Sequence, residues 1–250
     1  MYNESTKGCS YSRNKGRKLA RGIYICFMDS DDTYHPHFLE CLYHEIEHSS
    51  ADLVFCGYDK CFKNQTVPYT HTWKYPLHHN ISSLKCDILT GKTHICHCAV
   101  LFRRSFLDAK NIYYTDSCRH AGDTEFIYKI LFLNPEFSYV NQSLYYYNIH
   151  QNSISTRTPT EENFDAFYAY ERIKEAIKNP FWKALFVLTR ESREVFHILE
   201  NFADHNLQMP YLFCSLGKIF SLLLVNAFVR RNSASRQMVK YFWNHYIKTG

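Results

Sequence analysis

Apolar and polar positions alternate in short blocks along the first 150 residues. Tyr24 to Met28 form an apolar run that stops at Asp29, Asp31 and Asp32. Bounded by Gly22 and a polar cluster, this run predicts a buried, central strand over 23–28. The stretch 13–21 before it predicts a helix with Leu19 and Ala20 inward. After Pro36, the residues Phe38, Leu39, Leu42 and Ile46 recur at helical spacing, with proline near the start as helices favour. Strands follow over 52–58 and 98–103. Between them, 60–82 is polar and aromatic, with Pro68 and Pro76, and reads as irregular or hairpin structure. A helix over 82–90 ends at Gly91. Arg104 to Leu107 starts a short helix, and Phe126 to Leu133 forms another, stopped by Pro135. The stretch 137–147 is extended, with Tyr139 and Val140 typical of strands.

The pattern changes after Thr158-Pro159-Thr160, where two amphipathic helices are predicted over 161–178 and 181–203. Residues 211–229 are strongly apolar but carry Lys218 and Asn226 and run into Arg230-Arg231. That length nearly spans a bilayer. The interior lysine and the lack of a second span favour a packed helix of a C-terminal bundle. Peripheral attachment to a membrane surface is the alternative reading. The expected organisation is a core over 1–157 and a helical region over 158–250.

At 250 residues with 46% hydrophobic content, the chain can bury a sizeable core and is not generally disordered. Its net charge of +5 fits an anionic substrate or a membrane surface and does not call for nucleic acid. Arg13, Lys15, Arg17, Lys18 and Arg21 form the densest basic stretch. The 10 cysteines show no scaffold spacing, and the start of the chain is polar. Both points favour a reducing cytoplasm. His94, Cys96, His97 and Cys98 are spaced too tightly for a structural zinc site and read as a strand with buried thiols.

The acidic run has two readings. It is either an Asp-rich turn or a set of carboxylates that repel unless they share a cation. At the carboxyl end of a strand it faces the crevice where open α/β sheets bind ligands.

The flanking residues bear on that choice. Gly8-Cys9-Ser10-Tyr11-Ser12-Arg13-Asn14-Lys15-Gly16 is followed by Gly22-Ile23-Tyr24-Ile25-Cys26-Phe27-Met28-Asp29-Ser30-Asp31-Asp32 and by Ala51-Asp52-Leu53-Val54. Leu101-Phe102-Arg103-Arg104-Ser105-Phe106-Leu107, Asp123-Thr124-Glu125-Phe126 and Leu144-Tyr145-Tyr146-Tyr147-Asn148-Ile149-His150 continue the series. Over about residues 8–155 the chain resembles the family 2 glycosyltransferases with a GT-A fold. The resemblance implies an α/β, Rossmann-like nucleotide-sugar domain with a helical extension.

It also implies transfer from a nucleotide-sugar, a UDP-sugar above all, to a glycan or lipid-linked acceptor hydroxyl. Such transfer inverts the anomeric carbon and belongs to surface polysaccharide or lipopolysaccharide synthesis in the cytoplasm or at the inner membrane face. By the same resemblance Asp31 is the ligand of Mn²⁺ or Mg²⁺, and Asp29 contacts the donor ribose or the metal's shell. Arg13 lies near the nucleotide and His150 near phosphate or metal. Asp123 is the general base and Phe126 the accompanying aromatic. Gly122 stands where relatives carry Glu, and Glu125 is the alternative base. Asn14 and Gly16 are expected to shape the local turn. Asp32 is expected either to hydrogen-bond behind the metal ligands or, the favoured reading, to cap the following helix.

Relatives also open with a V-S-V-I-I-P-x-Y-N strand and a D-D-G-S segment that build the first strands and hold the base. Neither occurs here, and glycine, at 8, is scarce. The expectation is therefore a partial GT-A domain that lacks its first strands and binds UDP poorly on its own. The alternative is an inactive remnant serving as a sugar-binding or interaction module.

Overall fold

The computed structural model describes residues 8–62, 65–68, 80–149, 160–191 and 193–194. The chain divides into two compact units, Met1–Arg157 and Thr158–Gly250.

The first unit is an α/β structure. It opens with helix α1 (Cys9–Leu19), which starts after Gly8 at φ 135. A side chain at Gly8 would be strained in that left-handed region, so the helix starts four residues earlier than the predicted 13. Its inward face is polar. Ser10, Asn14 and Arg17 are buried at helical spacing, whereas Leu19 is 40% exposed. The expected inward Leu19 is thus corrected, because α1 docks through hydrogen bonds instead of apolar burial.

Strand β1 covers only Tyr24–Ile25, although Ile25 and Phe27 are both buried. Strand β2 (Thr33–Tyr34) follows the acidic run. Helix α2 (Phe38–Ser49) buries Phe38, Leu42 and Ile46, one stripe at i, i+4 and i+8, while Leu39 faces outward at 55% exposure. Each fully buried residue of this stripe contributes roughly 1.5–3 kcal/mol of burial free energy.

Strand β3 (Leu53–Phe62) forms a hairpin with β4 (Gln65–Pro68). Helix α3 (Ile81–Thr90) is capped by Asn80, whose side chain accepts from Ser82 N at 2.8 Å, and ends at Gly91 with φ 82. A 3₁₀ turn (His97–Ala99) leads into β5 (Val100–Arg103) and helix α4 (Arg104–Ala109). Helix α5 (Gly122–Leu131) and strand β6 (Phe137–Asn148) complete the unit.

The sheet order is β1-β5-β3-β6-β2, with β4 on β3. Among the described residues only β3 and β6 run parallel; the remaining pairs are antiparallel. Among the described residues β1 pairs with β5 alone, so the acidic run leaves an edge strand, not the central one expected. The sheet is mixed. Strand β5 enters from the 3₁₀ turn in the opposite sense and separates β1 from β3. The core beneath α2 contains Phe38, Leu42, Ile46, Val54, Leu101, Leu144 and Tyr145.

The second unit begins with a 3₁₀ turn (Glu161–Phe164), followed by α6 (Asp165–Ala176) and α7 (Pro180–Phe186). Asn179 caps α7 by accepting from Phe181 N and Trp182 N. A π-helical turn (Val187–Glu191) follows. Lys174 Nζ bridges Glu171 and Glu191 at 2.7 Å each. No helix of the described residues is long and apolar enough to cross a membrane. The apolar stretch 211–229 lies outside them.

Candidate functional site

The site assembles on four segments: α1, the acidic run after β1, the 3₁₀ turn before β5, and the start of α5. Helix α1 is fixed by its polar face. Asn14 Nδ2 donates to Tyr114 O and to Asp116 Oδ1, both at 2.9 Å, and Asn14 Oδ1 accepts from Tyr114 N at 2.9 Å. Ser10 Oγ donates to Cys118 O at 3.0 Å. Arg17 pairs with Asp108 at 2.9 Å and lies 3.8 Å over the Tyr113 ring. Together these contacts aim Arg13 at the acidic run. Its Nη2 meets Asp29 Oδ1 at 2.5 Å, with the guanidinium 5.2 Å from the Tyr114 ring centre. Burial lowers the affinity of Arg13 for its proton, but the fields of Tyr114 and Asp29 more than reverse this.

The three carboxylates of the run diverge. Asp29 is part-buried and paired with Arg13. Asp31 is exposed, and its backbone carbonyl accepts from Asn148 Nδ2 at 2.7 Å. Asp32 turns inward at 4% exposure. It accepts from the Tyr145 hydroxyl and from Asn148 N, the latter at 2.7 Å. Burial raises its pKa, although both hydrogen bonds act to lower it. The expected helix cap is therefore corrected. Helix α2 starts only at Phe38, after His37, and Asp32 instead ties the acidic run to the end of β6.

Asp123 lies in the first turn of α5. Its Oδ1 accepts from Thr124 N at 2.8 Å, and its Oδ2 faces His97 Nδ1 at 3.8 Å. Its side chain stays half-exposed, at 51%. Burial pushes its pKa up, but the charge of His97, the Thr124 N–H, Arg13 and His94 together hold it below the ordinary carboxylate value. For His97, burial acts to lower the pKa, while Cys98 and Asp123 raise it above the ordinary value.

Beneath these groups Tyr114 stacks on Phe126 at 4.1 Å, and Phe27 meets both rings edge-on. Tyr114 feels the charges of Arg13, Asp123 and Asp29. It marks the centre around which the predicted residues gather. Its own hydroxyl is buried and unpaired.

The structure thus brings Arg13, Asp29 and Asp123 into one electrostatic neighbourhood, with Asp31 two residues from Asp29 along the same turn. Glu125 is excluded as the alternative base. It is 1% exposed and bound by Thr115 Oγ1 at 2.6 Å and by Lys129 Nζ. His150 lies outside the described residues. Sequence reasoning missed His97 and Tyr114. The Cys-His cluster flagged His97, but nothing local in the sequence paired it with Asp123. A cleft of about 480 Å³ flanks α1, lined by Tyr11, Lys15, Lys18 and Tyr113 among others. Asp116 also lines it, whereas Asp29, Asp31, Asp32 and Asp123 do not.

Residues 1–109 match the family model described as Glycosyl transferase family 2. That segment belongs to glycosyl transferase family 2. Among curated relatives, EpsH of Bacillus subtilis, a glycosyltransferase by name, is 31% identical over 164 residues. That alignment covers 63% of this chain and 46% of EpsH. The poly(ribitol-phosphate) beta-N-acetylglucosaminyltransferase TarP of Staphylococcus aureus is 26% identical over 186 residues, 72% of this chain and 54% of TarP. The chain thus spans about half the length of these relatives. The crystal structure of S. aureus TarS in complex with UDP superposes with a TM-score of 0.58 at 16% identity, over 87% of this chain and 60% of that one. At that identity the likeness shows the fold, which is GT-A.

Proposed function

We propose that the chain transfers a sugar from a UDP-sugar to the hydroxyl of a glycan or lipid-linked acceptor, inverting the anomeric carbon. The observation that carries the reading is the convergence of Arg13–Asp29 and His97–Asp123 around Tyr114 in a family 2 segment. Support also comes from the GT-A neighbour TarS, whose structures are with UDP and UDP-GlcNAc.

Each residue has a task that its surroundings fit. Asp123 is half-exposed and held ionised, as a base needs to be when it takes the acceptor's proton. Arg13 presents a guanidinium with further donors beyond the one given to Asp29, suited to a diphosphate or a base edge. Asp31 offers an unburied carboxylate, and Asp29 has a second oxygen beyond the one bonded to Arg13. This all-oxygen pair suits a hard cation such as Mn²⁺ or Mg²⁺. Bound there, the ion would neutralise charge developing on the leaving diphosphate. Asp32 keeps the turn rigid beneath them. Phosphorylated or lipid-linked polymers of the bacterial surface are the acceptor class, and contact with the inner membrane face would bring the acceptor to the site.

The test is UDP-sugar consumption by the full chain in Mn²⁺, with Asp31→Asn and Asp123→Asn variants. The reading expects turnover by the unaltered chain at UDP-sugar concentrations high enough to offset its weak UDP binding, and loss of turnover in both variants, with that weak binding retained in Asp123→Asn. Unchanged turnover in either variant refutes that residue's role. The absence of turnover with any UDP-sugar refutes the donor assignment.

A further inference from the structure

A second set of potential ligand atoms meets around Asp29. Asp29, His97 and Cys98 each place one ligand atom within 4.8 Å of the others, the one such trio found among the described residues. The sequence-local grouping of His94, Cys96, His97 and Cys98 had no distant member. Folding supplies one, Asp29, from the segment after β1.

The geometry around the trio resembles a prepared ligand set. His97 Nε2 lies 3.2 Å from Cys98 Sγ, a separation compatible with two ligands sharing one tetrahedral ion. The opposite ring nitrogen, Nδ1, is buried without a hydrogen-bond partner and faces Asp123 Oδ2 at 3.8 Å. Histidines that bind metals through one nitrogen usually direct the other N–H to a carboxylate, which fixes the tautomer. His97 itself is 4% exposed and Cys98 is fully buried. The Tyr34 hydroxyl reaches Phe27 O at 2.7 Å and Cys98 O at 3.0 Å. That contact holds the two segments carrying Asp29 and Cys98 side by side.

We propose that Asp29, His97 and Cys98 bind a borderline divalent ion of the zinc type, with Asp123 orienting His97 from behind. The N, S and O donor set selects zinc over magnesium, which prefers oxygen alone. On binding, the Cys98 thiol gives up its proton to solvent and its sulfur bonds the ion as thiolate, so one proton is released per ion from this group. Asp29 bonds the ion through a carboxylate oxygen and gives up or shares Arg13. For the donor site, a consequence that rests on the reading under Proposed function is that zinc competes with the donor-site cation for Asp29 and so opposes metal-dependent UDP binding.

The experiment uses the full metal-free chain without nucleotide, so its outcome is independent of the donor reading. Zinc is titrated calorimetrically, and X-ray absorption is recorded at one equivalent. The expected shell holds one sulfur at about 2.3 Å and nitrogen or oxygen neighbours at about 2.0–2.2 Å. Asp29 is only part-buried, so Asp29→Asn should keep the fold by circular dichroism and weaken zinc binding at least about tenfold. A shell without sulfur, a shell with more than one sulfur, no binding at micromolar zinc, or unchanged affinity in Asp29→Asn would each overturn the site. A later titration with UDP reads the opposition separately. If UDP fails to bind at all, the donor reading falls and the zinc site stands.

Discussion

Replacing Asn14 with alanine tests how α1 is held in place. The Asn14 side chain makes three hydrogen bonds at 2.9 Å, and two of their partners are the backbone N and O of Tyr114. Alanine leaves both backbone groups without these partners in a buried setting. Each orphaned group costs about 1–3 kcal/mol. Asn14 lies at 9% exposure, near enough to solvent for water to recover part of this loss. The expected loss is about 2–4 kcal/mol, at the lower end of the two-group sum. Because the chain has two compact units, a single global unfolding energy is not well defined, so the effect should be read locally. Hydrogen exchange followed by mass spectrometry should show amides of 9–19 and 113–116 exchanging roughly 30–1,000-fold faster, the loss converted at 1.36 kcal/mol per decade. Acceleration of less than threefold in both segments would show that the asparagine does not hold the helix, and the account of α1 would fail.

Three further outcomes follow from the packing and the charges. Leu42→Ala empties a fully buried position of the α2 stripe and should destabilise the first unit by about 2–5 kcal/mol; a loss below about 1 kcal/mol in its thermal transition would mean the stripe is not core. His97 holds its proton more tightly in the fold than the ordinary His value of about 6.5. Its contribution is therefore full below that value and fades as pH rises through the folded one, so melting curves of His97→Gln should differ most from the parent at acid pH; a constant difference across pH would rule this out. Tyr145→Phe removes one hydrogen bond to Asp32 and pushes the already raised carboxyl higher still. The loss, about 1.5–3 kcal/mol for a hydrogen bond to a charged group, should be present at neutral pH and shrink as acid protonates Asp32; equal losses at both would refute the Tyr145–Asp32 tie.

Much of the fold was legible because its elements are strongly patterned. The α2 stripe, the α3 stop at Gly91 and the strands around Val54 and Leu101 all follow from periodicity and turn chemistry. What was not legible depends on partners far away in the chain. Asp32 looks like a capping residue locally, and only Tyr145 and Asn148, more than 110 positions away, show that it points inward. Leu19 looks like a buried residue until the polar partners of Ser10, Asn14 and Arg17 turn that face of α1 to the core. Of the motif residues named from the sequence, the fold brings Arg13, Asp29 and Asp123 together, with Asp31 on the same turn. His97 was not legible, because its role is set by a contact with α5 that no spacing encodes. Glu125 could be dropped only once Thr115 and Lys129 were seen to hold it.

The polar underside of α1 gives this helix an unusual thermodynamic character. An element docked through Ser10, Asn14 and Arg17 exposes little hydrocarbon when it lifts away. Its release should therefore carry a small heat-capacity change and a weak dependence on urea, since both scale with the surface uncovered. Arg13 rides on that helix. The arginine that meets Asp29 is thus mounted on a part whose release from the 108–118 segment should cost nearly the same across temperature.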